Sequence, residues 1–221
     1  GVPIRYSLTP GVENEKVQID VRQWRADARA EAQFGGGFFV RVRFRAGYAD
    51  YQHAEIDEDG SVGTRFFAQG FEGRAELVQA DHGGWKGAVG TQFVARDLNI
   101  IGDEKFLPRN DTMQYGLFTV QDFKSGPFKA EIGARIEQSD VHAAADGDLG
   151  NPELNRRFTT LSASAGASYE VLDGWRIGTN ITRSARAPSA EELFANGPHA
   201  GTQAFEIGDP GRAEGVLRRK L

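Results

Sequence analysis

Cysteine is absent from these 221 residues and methionine occurs once, so neither disulfide pairing nor thiolate-metal chemistry is open to the chain. No stretch approaches about 18 consecutive apolar residues, which excludes a helical membrane span. A β-barrel span survives that test, because its strands alternate apolar with polar side chains and so average to a soluble-looking composition. Positive charge is not in excess either. The formal net charge is −5 and no basic run occurs, which argues against nucleic acid as a partner. Nothing resembling a leader opens the chain at Gly1, so the expectation is that a leader was removed or that this is an internal piece.

What is present is an alternation of short and long connections. Gly35 to Gly37, Asp81 to Gly84, Lys124 to Gly126 and Leu172 to Gly174 are rich in turn-forming Gly, Asp and Ser and read as tight hairpins. Between them, Asp50 to Gly63, Asn99 to Thr112, Val141 to Asn155 and everything from Ala187 onward read as long polar loops. The intervening segments alternate with period two. Trp24, Ala26, Ala28, Ala30, Ala32 and Phe34 oppose Arg25, Asp27, Arg29, Glu31 and Gln33, with the upstream Ile19 and Val21 on the opposite parity predicting a bulge near Arg22 and Gln23. Phe38, Val40, Val42, Phe44 and Tyr48 oppose Arg41, Arg43 and Arg45, a pattern a helix would scatter. Further along, Glu72, Arg74 and Glu76 share one face of a third strand, and Arg135 and Glu137 one face of a sixth. In the fifth, Phe118 and Val120 break the alternation set by Tyr115, Leu117 and Phe123 and leave its facing open.

The expected fold is all-β, an antiparallel up-and-down transmembrane β-barrel segment of about eight strands that belongs to a larger barrel. Aromatics support the membrane assignment. Phe34, Phe38, Trp85, Phe123, Phe128, Tyr169 and Trp175 flank the short turns, and Tyr48, Phe93 and Tyr115 form a second set farther along the strands. At 3.3 Å per residue and a tilt near 45°, the two sets lie about 19 to 23 Å apart, close to the apolar band of such barrels. A soluble β-barrel or sandwich would use the same aromatics as ordinary core, but would leave rows of arginine and glutamate crowded on a solvent face.

From Thr182 the chain reads TRSARAPSAEELFANGPHAGTQAFEIGDPG, and this strongly resembles the late barrel region of TonB-dependent outer-membrane receptors; FEGRAELVQ at Phe71 to Gln79 and GARIE at Gly133 to Glu137 resemble barrel strands of the same family. The resemblance covers residues 1–211 as a partial receptor barrel, whereas 212–221 (RAEGVLRRKL) depart from the family pattern as an atypical tail. It implies an outer-membrane location and contact with its lipid. It also implies binding and import of a scarce nutrient, zinc or a metal chelate such as a siderophore, driven by the TonB complex through a plug that this chain has no room for, so that the piece alone is not transport-competent. Arg41, Arg43, Arg45, Glu72, Arg74, Glu76, Arg135 and Glu137 would then line the lumen. A small complete eight-stranded barrel with a structural or adhesive role is the alternative.

Ser189 followed by Glu192 has capping-box spacing and predicts a short helical turn over Ala190 to Ala195, an ornament on a loop whose flanking Pro188 and Pro198 keep it out of any ladder. Histidines His53, His142 and His199 fall in the long loops, where with Asp57, Asp146 and Asp209 they are weak candidates for metal contacts; as solvated loop polars they need no such role. Ser184 or Ser189 with His199 and Asp209 has no nucleophile elbow or oxyanion signature around it, so the chain is read as neither an enzyme nor a holder of a cofactor.

Overall fold

A computed structural model describes residues 4–6, 15–57, 59–102, 105–199, 204–213 and 215–220. Alternation becomes strand throughout. In chain order the elements are β1 (Ile4–Tyr6), β2 (Glu15–Gln33), β3 (Phe39–Ile56), β4 (Val62–Gln79), β5 (Trp85–Gly102), β6 (Asn110–Ser125), β7 (Phe128–Ala143), β8 (Leu154–Leu172), β9 (Trp175–Arg186), α1 (Ala190–Phe194), β10 (Asn196–His199), β11 (Ala204–Ile207) and β12 (Gly215–Lys220). Ten of the strands form one sheet in the order β1-β2-β3-β4-β5-β6-β7-β8-β9-β12, and β10 pairs with β11 in a separate ribbon. The eight long strands β2 to β9 are antiparallel neighbours in sequence order, the up-and-down meander expected. The sheet is not closed. It ends at β1 on one side and β12 on the other, so the closed eight-stranded alternative is not the arrangement adopted.

All four tight hairpins lie where the turn-forming residues place them, with Gly36, Gly37, Gly83, Gly84, Gly126 and Gly174 at positive φ. The opposite rim differs from expectation. β3 continues to Ile56 and β4 restarts at Val62, so most of the expected loop at 50–63 is ladder. The connections after β5 and β7 shrink likewise, to 103–109 and 144–153. Beyond the apolar band both faces of these strands carry polar residues, which erases the period-two signal while the hydrogen-bonded ladder goes on. The predicted bulge at Arg22 and Gln23 is absent for the same reason. Pairing is continuous from Gln18 opposite Ile56 to Gln33 opposite Arg41, and the outward positions Asp20 and Arg22 have simply become polar above Trp24. Register shifts occur instead at Phe39/Arg41 and Glu170/Leu172, beside the tight turns, and at Glu55/Ile56 at the opposite end of β3.

The registers sort the side chains into two faces. One carries Ala30, Phe44, Ala75, Thr91, Leu117, Ile136 and Leu161 in a single cross-strand row, and Leu117 is 62% exposed. Aromatic rings border this belt on both sides. Trp24 packs on Tyr48 with ring centroids 5.7 Å apart, and Phe71, Phe93 and Tyr115 continue the line at 6.0 and 4.9 Å. Near the tight turns Trp85, Phe123 and Phe128 follow one another at 6.1 and 6.4 Å. So much exposed aromatic and aliphatic surface suits lipid and would be an aggregation site in water.

Buried hydrophobic residues collect elsewhere, on the polar face of the sheet at its long-loop end. Leu98 and Ile100 of β5, Val141 and Ala143 of β7 and Phe158 of β8 meet Phe106 and Leu107 from the 103–109 connection and Ala187, Ala190, Leu193, Phe194 and Ala195 around α1. The helix is therefore the centre of a small core and not an ornament. Its capping box is formed: the Ser189 hydroxyl accepts the Glu192 N–H at 3.3 Å, and the Glu192 carboxylate accepts the Ser189 N–H at 3.0 Å. Pro198, expected outside any ladder, lies in β10 opposite Phe205, which a two-stranded ribbon with two open edges tolerates.

Candidate functional site

The polar face of the sheet is the first candidate, and the strand registers assemble it row by row. Arg43 stands opposite Glu31 and Glu76; Arg45 stands opposite Arg29 and Arg74; Gly47 stands opposite Asp27 and Glu72. Glu31 receives Arg43 at 3.1 Å and lies 3.3 Å from Arg41, while Arg74 bonds Glu76 through Nε at 2.8 Å. A second chain of contacts crosses three strands: Gln92 Nε2 donates to Glu72 at 2.6 Å, its Oε1 accepts from Arg135 at 3.1 Å, and Arg135 Nε donates to Glu137 at 3.0 Å. Two glycines make this possible. A Cβ on Gly116 would overlap the Arg135 guanidinium, and one on Gly90 would overlap the Phe118 ring.

Phe118 resolves the open facing of β6. It points to the polar side with Gly116, and Arg74 lies over its ring at 4.1 Å. The ring adds a cation–π contact beside the Arg74–Glu76 ion pair, and its place on the wall is why the alternation fails there. Exposed ion pairs of this kind contribute about 0–1 kcal/mol each, so the network sets the shape and charge of the wall more than its stability. Gln92 shares the charged face of β5 with Lys86 and Arg96, as the period-two reading of the sequence places it; only the register sets it between Glu72 and Arg135. Toward the tight turns the wall opens into a recess of about 760 Å³ lined by Lys86, Asp122, Lys129, Glu131, Gly166 and Asn180.

The second candidate is the long-loop rim, where three connections are tied together. Asn196 donates its backbone N–H to the Phe106 carbonyl at 2.8 Å and its side-chain amide to the Leu149 carbonyl at 2.7 Å. Asn151 donates to the Phe194 carbonyl at 2.8 Å, and Lys105 forms an ion pair with Asp146. Gly197 and Gly208 pack so closely on the backbone of Phe106 and of Leu193–Phe194 that no Cβ fits. Arg186 at the end of β9 grips Glu192 at 2.6 and 2.9 Å, and Arg212 reaches the same carboxylate at 3.6 Å. With the Ser189 N–H added, these partners hold the Glu192 carboxyl down at about 2.

The histidines do not converge. His53 lies on β3, not in a loop, and stacks on Phe66 of the polar face at 4.2 Å. His142 lies on β7 and turns to the opposite face, where it meets Asp111 at 2.8 Å and Glu153 at 3.4 Å. His199 belongs to β10, and its side chain lies outside the described residues. Asp209 serves a turn, accepting the Gly211 N–H at 2.8 Å. Among the described residues no three His, Cys, Asp or Glu side chains gather into a set that could hold a metal ion. The Ser189 hydroxyl is engaged as a helix cap, and Ser184 lies within β9 opposite Leu217 of β12.

A family model described as TonB dependent receptor-like, β-barrel matches residues 3–211. Among solved structures, that of a protein named "Copper transporter OprC" has the same fold, with a TM-score of 0.70 at 13% sequence identity over 81% of this chain. The present chain spans 31% of that protein. Barrels of this family reside in the outer membrane and serve receptors that transport and do not catalyse. On an open meander, a lipid-suited belt, a charged wall and a match over nearly its whole length, this chain belongs to the TonB-dependent receptor-like β-barrel family.

Proposed function

We propose that this chain forms part of the barrel wall of an outer-membrane receptor that captures a scarce metal, as the ion or as a chelate such as a siderophore, at its long-loop rim. Import then depends on the TonB complex acting through a plug domain, so residues 1–211 contribute the wall and rim and not the motor; residues 212–221 stand apart from the receptor pattern. The observation that carries this is the rim itself. Three connections are tied to one another around α1 by Asn151 and Asn196 and to the end of β9 by the Arg186–Glu192 pair, which presents a preformed surface at the long-loop rim. Structural similarity to a protein named as a copper transporter favours a metal over other nutrients, without choosing among metals.

Uptake of radiolabelled iron-siderophore, zinc and copper by cells with and without the intact gene tests the proposal. Loss of uptake of one of them, and the same loss on dissipating the proton gradient, is expected. Unchanged uptake of all three would remove the metal assignment.

A further inference from the structure

Beyond the upper aromatic line, the face of the sheet that carries the belt places one histidine between two carboxylates. Gln138 of β7 stands opposite Tyr115 of that line, and His142 lies four residues farther along the same face, about 13 Å past it. Asp111 of β6 is 2.8 Å from its Nδ1, and Glu153 of the 144–153 connection is 3.4 Å from its Nε2. The ring therefore bridges two separate elements. In the same cross-strand row Asp97 of β5 stands opposite Asp111, and Asn155 of β8 stands opposite His142. Arg109 answers Asp97 at 3.2 Å, and Arg157 answers Asp140, two residues before His142 on its own strand. Among the described residues, Asp111 and Glu153 have ion pairs with His142 alone. The connection that Glu153 closes is itself a clasp of the rim. Its Asp146 and Asn151 exchange backbone hydrogen bonds at 2.8 and 2.9 Å, its Ala144 N–H donates to the Arg109 carbonyl at 2.9 Å, and Asn151 and Leu149 hold the segment around α1.

We infer that His142 is a pH-operated latch: as imidazolium it pins the 144–153 connection to β6 through Glu153 and Asp111, and when its proton passes to solvent that hold is released. Only the charged ring donates from both nitrogens; the neutral ring keeps one N–H and turns a lone pair toward the other carboxylate. The shorter Asp111 contact keeps that N–H, so Glu153 is the partner let go. Loss of the charge also leaves Asp111 directly opposite Asp97 with no cation of its own, and opposed like charges destabilise a strand pair. The hydrogen bond to Asp111 raises the imidazole pKa above its ordinary 6.5 against partial burial, and Glu153 adds to the rise. The hold is accordingly complete below pH 6.5 and is lost as pH climbs through the raised value. Asp111, Glu153 and Asp97 stay ionised across this range, as do Arg109, Asp140 and Arg157, so His142 is the group in the cluster that changes charge. The latch stands whether or not the rim captures a metal.

Amide hydrogen exchange of the full-length protein in detergent micelles, at pH about 5.5 and about 8.5 and corrected for the intrinsic rate at each, provides the test. Protection of the Ala144, Asp146 and Asn151 amides is expected to fall about two- to fivefold at the higher pH, the strength of an exposed ion pair, while the Leu117 amide in the belt is unchanged. His142→Gln is expected to show the weaker protection at both values, and His142→Arg, charged throughout, the stronger at both. Glu153→Gln is expected to remove most of the difference. Equal protection of the natural chain at the two values, a loss shared equally by Leu117, or a difference that survives in His142→Gln would each overturn the latch.

Discussion

The lipid-suited belt and the long-loop rim use apolar residues in opposite ways. In the belt, Leu117 and its row present their side chains outward, and the sheet behind them is held by ladder hydrogen bonds and carries the charged rows on its other face. At the rim, Leu193 and Phe194 are buried among residues from three connections, with backbone groups satisfied by Asn151, Asn196 and a capping box. One region suits a lipid surface; the other is a small core built to the rules of a soluble protein. The difference shows that burial in this chain marks the rim and not the span.

The sharpest way to break the comparison is one substitution in both places. Leu193→Ala is expected to cost about 2–5 kcal/mol of rim stability, read by hydrogen exchange at 187–209. Leu117→Ala removes little in lipid, and equal losses at the two sites would erase the distinction. Arginine reverses the sensitivity of the belt: Leu117→Arg is expected to cost about 2–4 kcal/mol in urea unfolding from bilayers, since a charge there faces hydrocarbon. Ser189→Ala is smaller, about 0.5–2 kcal/mol, and confined to the rim because it removes one helix cap.

Acid should separate the regions as well. Because the folded Glu192 carboxyl is lowered to about 2 from its usual 4.5, its stabilisation is complete above pH 4.5 and is lost as pH falls through about 2. Proteolysis of 187–213 with an acid-active protease should accelerate across that window while the belt strands stay protected. Glu192→Gln should flatten the dependence.

Most of the belt is legible in the sequence because lipid on one side and charge on the other enforce a strict period of two, and turns of Gly, Asp and Ser punctuate it. The charged rows Arg41, Arg43, Arg45 and Glu72, Arg74, Glu76 follow from that period alone. Their partners do not, since Glu31 and Gln92 reach them only through cross-strand register. His53 and His142 read as loop residues because polar strands beyond the belt lack the period, and the structure turns them to opposite faces.

By itself the sequence determined the number and order of the long strands, which face of each except β6 is apolar, and the capped helical turn, since all three rest on local spacing and backbone chemistry. Only the tertiary structure decided where the ladders stop, that the Phe118 ring lies beneath Arg74 on the polar face, and that α1 anchors a core joining three loops. Those depend on contacts between residues tens of positions apart, and pairing across strands leaves no periodic trace in either partner.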